Sequence, residues 1–215
     1  QVGGPDEGRR VVSEDGLRFE VTLIPHRNTG LFLEARRVRR WVRENAAGRR
    51  VLNLFAYTCS FGVAAAAGGA RATTNVDAVP SALARGRRNY ELNGLPYDGR
   101  TFWCSDVIAA LRRARKSGAA FDGVVLHPPP VPTGGTRGRR TDAVRDLEVL
   151  AAACREVLAP GAWLLLAWTP SSGEEQRLHE AVGLGAPKWC AGAGEDFCSI
   201  PSQPGLRAFA YFKDP

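Results

Sequence analysis

From residue 51 onward, short apolar runs alternate with longer helical stretches, and this alternation leaves few folds open to the chain. Residues 51–55, 72–76, 101–104, 121–126 and 163–168 read as strands. Residues 61–67, 80–92, 107–116 and 142–158 read as helices, punctuated by Gly68-Gly69, Asn93-Gly94 and Pro160-Gly161. The continuous run 121–126 is of the kind buried on both faces of a parallel sheet. Five strands alternating with helices point to an open, mostly parallel α/β sheet with helices on both faces, a Rossmann-like architecture. A helix near 174–182 and an edge strand at 206–212 complete the expected order. Upstream, residues 10–12 and 17–24 form a hairpin turned around Glu14-Asp15-Gly16. A helix over 34–45 follows, with Val38, Trp41 and Val42 as its apolar stripe and Gly48 beyond its end. The expected division is a hairpin-plus-helix appendage at 1–50 and a core at 51–215, with no internal repeat.

A chain of 215 residues with a 44% hydrophobic fraction can bury a core without disulfides or metals. Its five cysteines are scattered without CxxC spacing, so neither a zinc site nor a disulfide framework is expected, and the compartment reads as reducing. No apolar run approaches the ~20 residues of a membrane span and no signal peptide opens the chain, so a soluble, cytoplasmic protein is expected. The absence of methionine and the start at Gln1 read as a trimmed piece of something longer. The net charge of +7 suits a polyanionic partner such as RNA. Nearly all of that positive charge is arginine, with lysine only at Lys116, Lys188 and Lys213, a skew that coding bias produces equally well.

In such a sheet, ligands bind at the carboxyl ends of the central strands. Four unusual stretches fall there. Phe55-Ala56-Tyr57-Thr58 follows the first core strand and lacks GxGxxG. Asp77 ends the second, where an acid can accept both ribose hydroxyls or simply cap the next helix. Ser105-Asp106-Val107 follows the third, with Asp106 able to accept from an adenine amino group or to serve as an ordinary N-cap. His127-Pro128-Pro129-Pro130 follows the fourth, as a site or as an inert turn. Their coincidence at one sheet edge favours a cofactor site.

The stretches Asn28-Thr29-Gly30-Leu31-Phe32-Leu33-Glu34-Ala35-Arg36, Asn53 to Thr58, Asn75-Val76-Asp77 and Leu92-Asn93-Gly94-Leu95 resemble bacterial class I methyltransferases. The group in question is related to the large-subunit ribosomal RNA cytosine-C5 and guanine-N7 enzymes, and the likeness runs from Leu17 to Phe212. The resemblance implies S-adenosylmethionine as cofactor, contacted by Thr29, Phe55, Ala56, Tyr57 and Thr58, with Asp77 on the ribose and Asp106 and Val107 near the adenine. It also implies that Arg36 binds the methionine carboxylate; the bland reading of Arg36 is one more solvated arginine.

The family ends its fourth strand with Asp-Pro-Pro, and here the acid is replaced by His127. Pro130 stands where many relatives carry a residue that packs against the target base. Neutral His127 can accept a hydrogen bond or act as a base, whereas a cationic ring would be poorly placed beside a sulfonium. Cytosine-C5 transfer needs a cysteine nucleophile, and neither the 127–130 nor the 167–172 segment supplies one. The catalytic candidates are therefore His127, Pro128 and Pro129. Arg137, Arg139 and Arg140 on a glycine-rich loop are candidates for holding RNA phosphates or are a solvated loop. The expected function is methylation of an RNA base, ribosomal RNA first. The competing readings are a cofactor- or RNA-binding homologue that has lost catalysis, and a protein or small-molecule methyltransferase. Oligomeric state is not written in the sequence.

Overall fold

The computed structural model describes residues 8–23, 29–129, 143–169, 175–194, 197 and 205–215, the side chains of 143–145 excepted. Strands β1 (Arg9–Glu14) and β2 (Leu17–Thr22) pair antiparallel across Asp15 and Gly16, both at positive φ (49° and 80°). That is the two-residue turn whose twist matches its strands. A 3-10 turn at Leu33–Ala35 leads into α1 (Arg36–Glu44), two residues later than expected. Then come β3 (Arg50–Leu54), α2 (Ser60–Ala67), β4 (Ala72–Asp77), α3 (Pro80–Leu92), β5 (Phe102–Cys104) and α4 (Val107–Lys116). The chain continues through β6 (Phe121–Leu126), α5 (Ala143–Val157), β7 (Leu158–Trp168), α6 (Glu175–Val182), β8 (Trp189–Gly192) and β9 (Arg207–Phe212).

Among the described residues the main sheet has seven strands in the order β5-β4-β3-β6-β7-β9-β8. The first five are parallel, and β9 runs antiparallel to both of its neighbours. The chain leaves β3 toward β4 on one side and returns to β6 on the other, which opens a crevice at the carboxyl ends of β3 and β6.

Alternation along the strands builds two cores, because successive side chains point to opposite faces. Val51, Val125, Trp163, Leu165 and Ala210 face a cluster that includes Val38 and Trp41 of α1, Val63 of α2 and Tyr90 of α3. Leu52, Val124, Leu164, Leu166 and Phe209 face a second cluster with Leu111 of α4, Leu147 of α5 and Leu178 of α6. The fold is therefore a Rossmann-like parallel sheet covered on both sides.

The segment expected as an appendage lies against the first of these faces. Phe19 and Val21 of β2 join that cluster. Trp41 meets Trp163 edge-on at 5.2 Å and stacks on Trp189, also at 5.2 Å. The buried indole N–H of Trp163 donates to the carbonyl of Asn45 (3.1 Å). Gly123 lies under that ring: a Cβ there would stand 2.3 Å from it.

The strand expected at the sheet edge, β9, is internal. The four-residue β8, for which the sequence gives no alternation long enough to register, pairs outside it. β7 starts at Leu158 rather than at 163. Phe121 faces Leu158 and Gly123 faces Trp163, so Pro160-Gly161 forms an irregularity within the ladder. Among the described residues no helix is long and apolar enough to cross a membrane.

Candidate functional site

The loop leaving β3 has an unusual backbone. Phe55, Tyr57 and Cys59 all take left-handed conformations, at φ of 54°, 48° and 61°. Each costs a non-glycine residue about 1–2 kcal/mol, so the surroundings must hold the loop in place. The hold is visible in its hydrogen bonds. Ala56 N–H donates to the carbonyl of Val76 (2.9 Å) and Cys59 N–H to that of Ala56 (2.7 Å). Tyr57 N–H donates to Asp77 Oδ2 (2.7 Å), while the buried Thr58 hydroxyl donates to the carbonyl of Gly30 (2.6 Å). Asn89 of α3, fully buried, donates to the carbonyl of Thr58 (2.9 Å) and accepts from the N–H of Glu20 (2.8 Å). One amide thus fixes the loop to the β1–β2 hairpin. Gly86 is required beneath it, since a Cβ there would come 2.3 Å from the Cys59 sulfur.

Asp77 accepts a second backbone bond, from Val79 N–H to Oδ1 (2.9 Å). With one bond on each oxygen, the carboxylate is oriented and keeps acceptor capacity. Asp106 caps α4, with Oδ1 accepting from Ala109 N–H (2.9 Å), and Oδ2 has no partner among the described residues. Val107 is buried behind it.

At the end of β6, His127 stands edge-on to Phe32 (5.4 Å) and to Phe61 (5.6 Å). None of the described residues hydrogen-bonds its ring nitrogens. Burial, aided by the charge of Arg39, lowers its pKa to about 4, so the ring is neutral at physiological pH. Pro128 is buried and Pro129 exposed. A cavity of about 310 Å³ lies alongside, lined by Thr29, Gly30, Phe32, Glu34, Tyr57 and Phe197 among others. The Thr29 hydroxyl is turned back onto the carbonyl of Leu31 (3.0 Å).

The edge therefore brings together Thr29, Phe55, Ala56, Tyr57, Thr58, Asp77, Asp106, Val107, His127, Pro128 and Pro129. Arg36 is placed differently: its guanidinium binds the Asp15 carboxylate at the hairpin turn (2.8 and 3.2 Å). Hydrogen bonds from Arg36 and Arg40 hold the Asp15 carboxyl down at about 2. Sequence spacing could not reveal a partner 21 residues upstream on another element. Arg137, Arg139, Arg140 and Asn28 lie outside the described residues. Among the described residues no cluster of His, Cys, Asp and Glu is arranged to hold a metal ion.

Several residues beside this edge were given no role by the sequence reading. Phe32 and Glu34, quoted in the sequence only as part of the motif before α1, line the cavity. Arg85 donates to the carbonyls of Glu20 and Thr29, and its guanidinium leaves no room for a Cβ at Gly30. Arg39 is fully buried, gripped by both oxygens of Glu14 (2.6 Å each), and it also donates to the carbonyl of Phe32 (2.8 Å). In the sequence it is one arginine among five in α1.

Residues 2–192 match the S-adenosylmethionine-dependent methyltransferase family. Ribosomal RNA large subunit methyltransferase K of Neisseria meningitidis serogroup B is 39% identical over 149 residues, 69% of this chain and 42% of that protein. Ribosomal RNA large subunit methyltransferase I of Aeromonas salmonicida is 35% identical over 172 residues, 80% of this chain and 43% of that one. This chain thus spans less than half the length of these relatives. Among solved structures, a SAM-dependent methyltransferase from Streptococcus mutans superposes with a TM-score of 0.85 at 26% identity, over 99% of this chain and 57% of that one. A methyltransferase complexed with SAH gives 0.84, also at 26% identity, over 99% and 58%. The chain belongs to the S-adenosylmethionine-dependent methyltransferase family.

Proposed function

We propose that this chain transfers the methyl group of S-adenosylmethionine to a base of RNA, and of ribosomal RNA in particular. The observation that carries the reading is the convergence of an oriented acid, a strained backbone loop and a neutral histidine at one sheet edge. The RNA substrate is supported by the names of the relatives and by the net charge of +7.

The residues fit the cofactor. Asp77, pinned by two backbone N–H groups, has lone pairs left for a ribose diol. Asp106 keeps one oxygen for an adenine amino group after capping α4. Phe55 and Tyr57 contribute ring surface from the left-handed loop. Arg36, the candidate for a methionine carboxylate, binds Asp15 in this structure.

When bound, S-adenosylmethionine supplies an already activated methyl, so the chain's work is alignment and charge control. Neutral His127 adds no positive charge beside the sulfonium and can accept a hydrogen bond from a base nitrogen. Pro128 and Pro129 fix the path of the chain leaving β6. Arg137, Arg139 and Arg140 would hold RNA phosphates.

The test is incubation with methyl-labelled cofactor and bulk RNA from cells lacking the protein. Label entering ribosomal RNA, and lost in His127→Ala, is expected. Label entering only protein or small molecules would overturn the reading. No label anywhere from a sample that binds the cofactor would favour a homologue without catalysis, to which the replaced fourth-strand acid also points.

A further inference from the structure

Phe32 is a large apolar side chain that stays 37% exposed at the rim of the cavity, where the ordinary expectation is burial. Its ring neighbours approach obliquely. Tyr57 lies at 5.6 Å with the planes at 44°, and His127 at 5.4 Å with the planes at 80°. Neither ring covers a face of Phe32 by parallel stacking. Its backbone is held in place, because the Phe32 carbonyl accepts from Arg39, itself clamped between α1 and the hairpin by Glu14. The result is a partly exposed ring on a backbone tied to a buried ion pair, between the left-handed loop and the end of β6.

We propose that Phe32 is the platform on which the target base stacks, supplied by the segment before α1. The inference rests on the RNA-methylation reading and deepens it. Its motive is the proline run: Pro128 and Pro129 offer no aromatic face at the strand end, and an unpaired base needs a flat partner to be held against a methyl donor. The contact that distinguishes the base sits alongside, since His127 touches the same ring and presents uncommitted nitrogens. The substrate class is a splayed-out base in a single-stranded stretch of RNA, recognised by its π-face at Phe32 and by one hydrogen bond at His127.

The test compares wild type, Phe32→Leu and Phe32→Trp in methyl transfer to the same bulk RNA, with calorimetric titration of S-adenosylmethionine for each. Phe32→Leu keeps apolar volume and removes the ring. It is expected to raise the KM for RNA by about 10- to 100-fold, the worth of one base–aromatic stack, with cofactor affinity unchanged. Phe32→Trp is expected to recover most of that loss, which a merely structural side chain would not allow. An unchanged KM for RNA in Phe32→Leu would overturn the proposal and leave the function standing. Weakened cofactor binding in Phe32→Leu would make Phe32 a cofactor wall, which also overturns it. No transfer to RNA by wild type would remove both.

Discussion

Replacing Glu14 by glutamine would leave the Arg39 guanidinium buried opposite an uncharged amide. Arg39 has 2% of its side-chain surface exposed and Glu14 11%, and the carboxylate takes two hydrogen bonds of 2.6 Å. Removing one partner of a buried ion pair costs about 3–5 kcal/mol. Glutamine keeps one acceptor oxygen but turns donors toward donors, which places the expected loss near the lower figure, about 3 kcal/mol. In a domain of this size that corresponds to a fall in Tm of about 6–12 °C. The assay is urea unfolding of wild type, Glu14→Gln, Arg39→Met and the double variant Glu14→Leu with Arg39→Met. The double variant should lose less than either single one, because no charge is left unpaired. A Glu14→Gln loss within about 0.5 kcal/mol of zero, the ordinary surface value, would refute the buried pair.

His127 makes stability depend on pH in a defined window. Its folded pKa, about 4, lies below the unfolded value of 6.5, so the unfolded chain binds the extra proton and stability falls as pH drops from 6.5 toward 4. The full difference is about 3 kcal/mol, and unfolding of His127→Gln at pH 7, 5.5 and 4.5 should show a flatter profile than wild type. Asn89→Ala orphans the N–H of Glu20 and the carbonyl of Thr58 in a fully buried place; a loss of about 2–5 kcal/mol and weaker cofactor binding are expected, by denaturation and calorimetry. Native alkylation followed by peptide mapping should modify exposed Cys104 and Cys190 while sparing Cys59 and Cys154, whose thiols burial pushes well up. Rapid modification of Cys59 would reopen covalent chemistry at the site.

What the sequence made legible follows from how local each signal is. The run 121–126 and the helices 80–92 and 107–116 are bounded as expected, because a buried parallel strand is continuously apolar and Pro80 and Asp106 mark helix starts. β8 was not legible: four residues, WCAG, carry too little alternation, and without it β9 reads as an edge. At the site, Asp77, Asp106 and His127 could be assigned to one edge because each ends or follows a strand. Arg36 and Arg39 could not be told apart. Which of two neighbouring guanidiniums meets Asp15 and which meets Glu14 depends on the hairpin folding back over α1. Phe32 was hidden for the same reason, since its exposure is a property of three segments meeting.

Calorimetric titration of S-adenosylmethionine into the wild-type chain and into Asp77→Ala tests the strand-end cofactor site most directly. Saturable binding by wild type is expected, weakened at least tenfold in the variant, where one charge-assisted bond to the ribose and the anchor of Tyr57 are both gone. A folded wild-type sample that takes up no cofactor, or an Asp77→Ala variant that binds it equally well, would contradict the assignment.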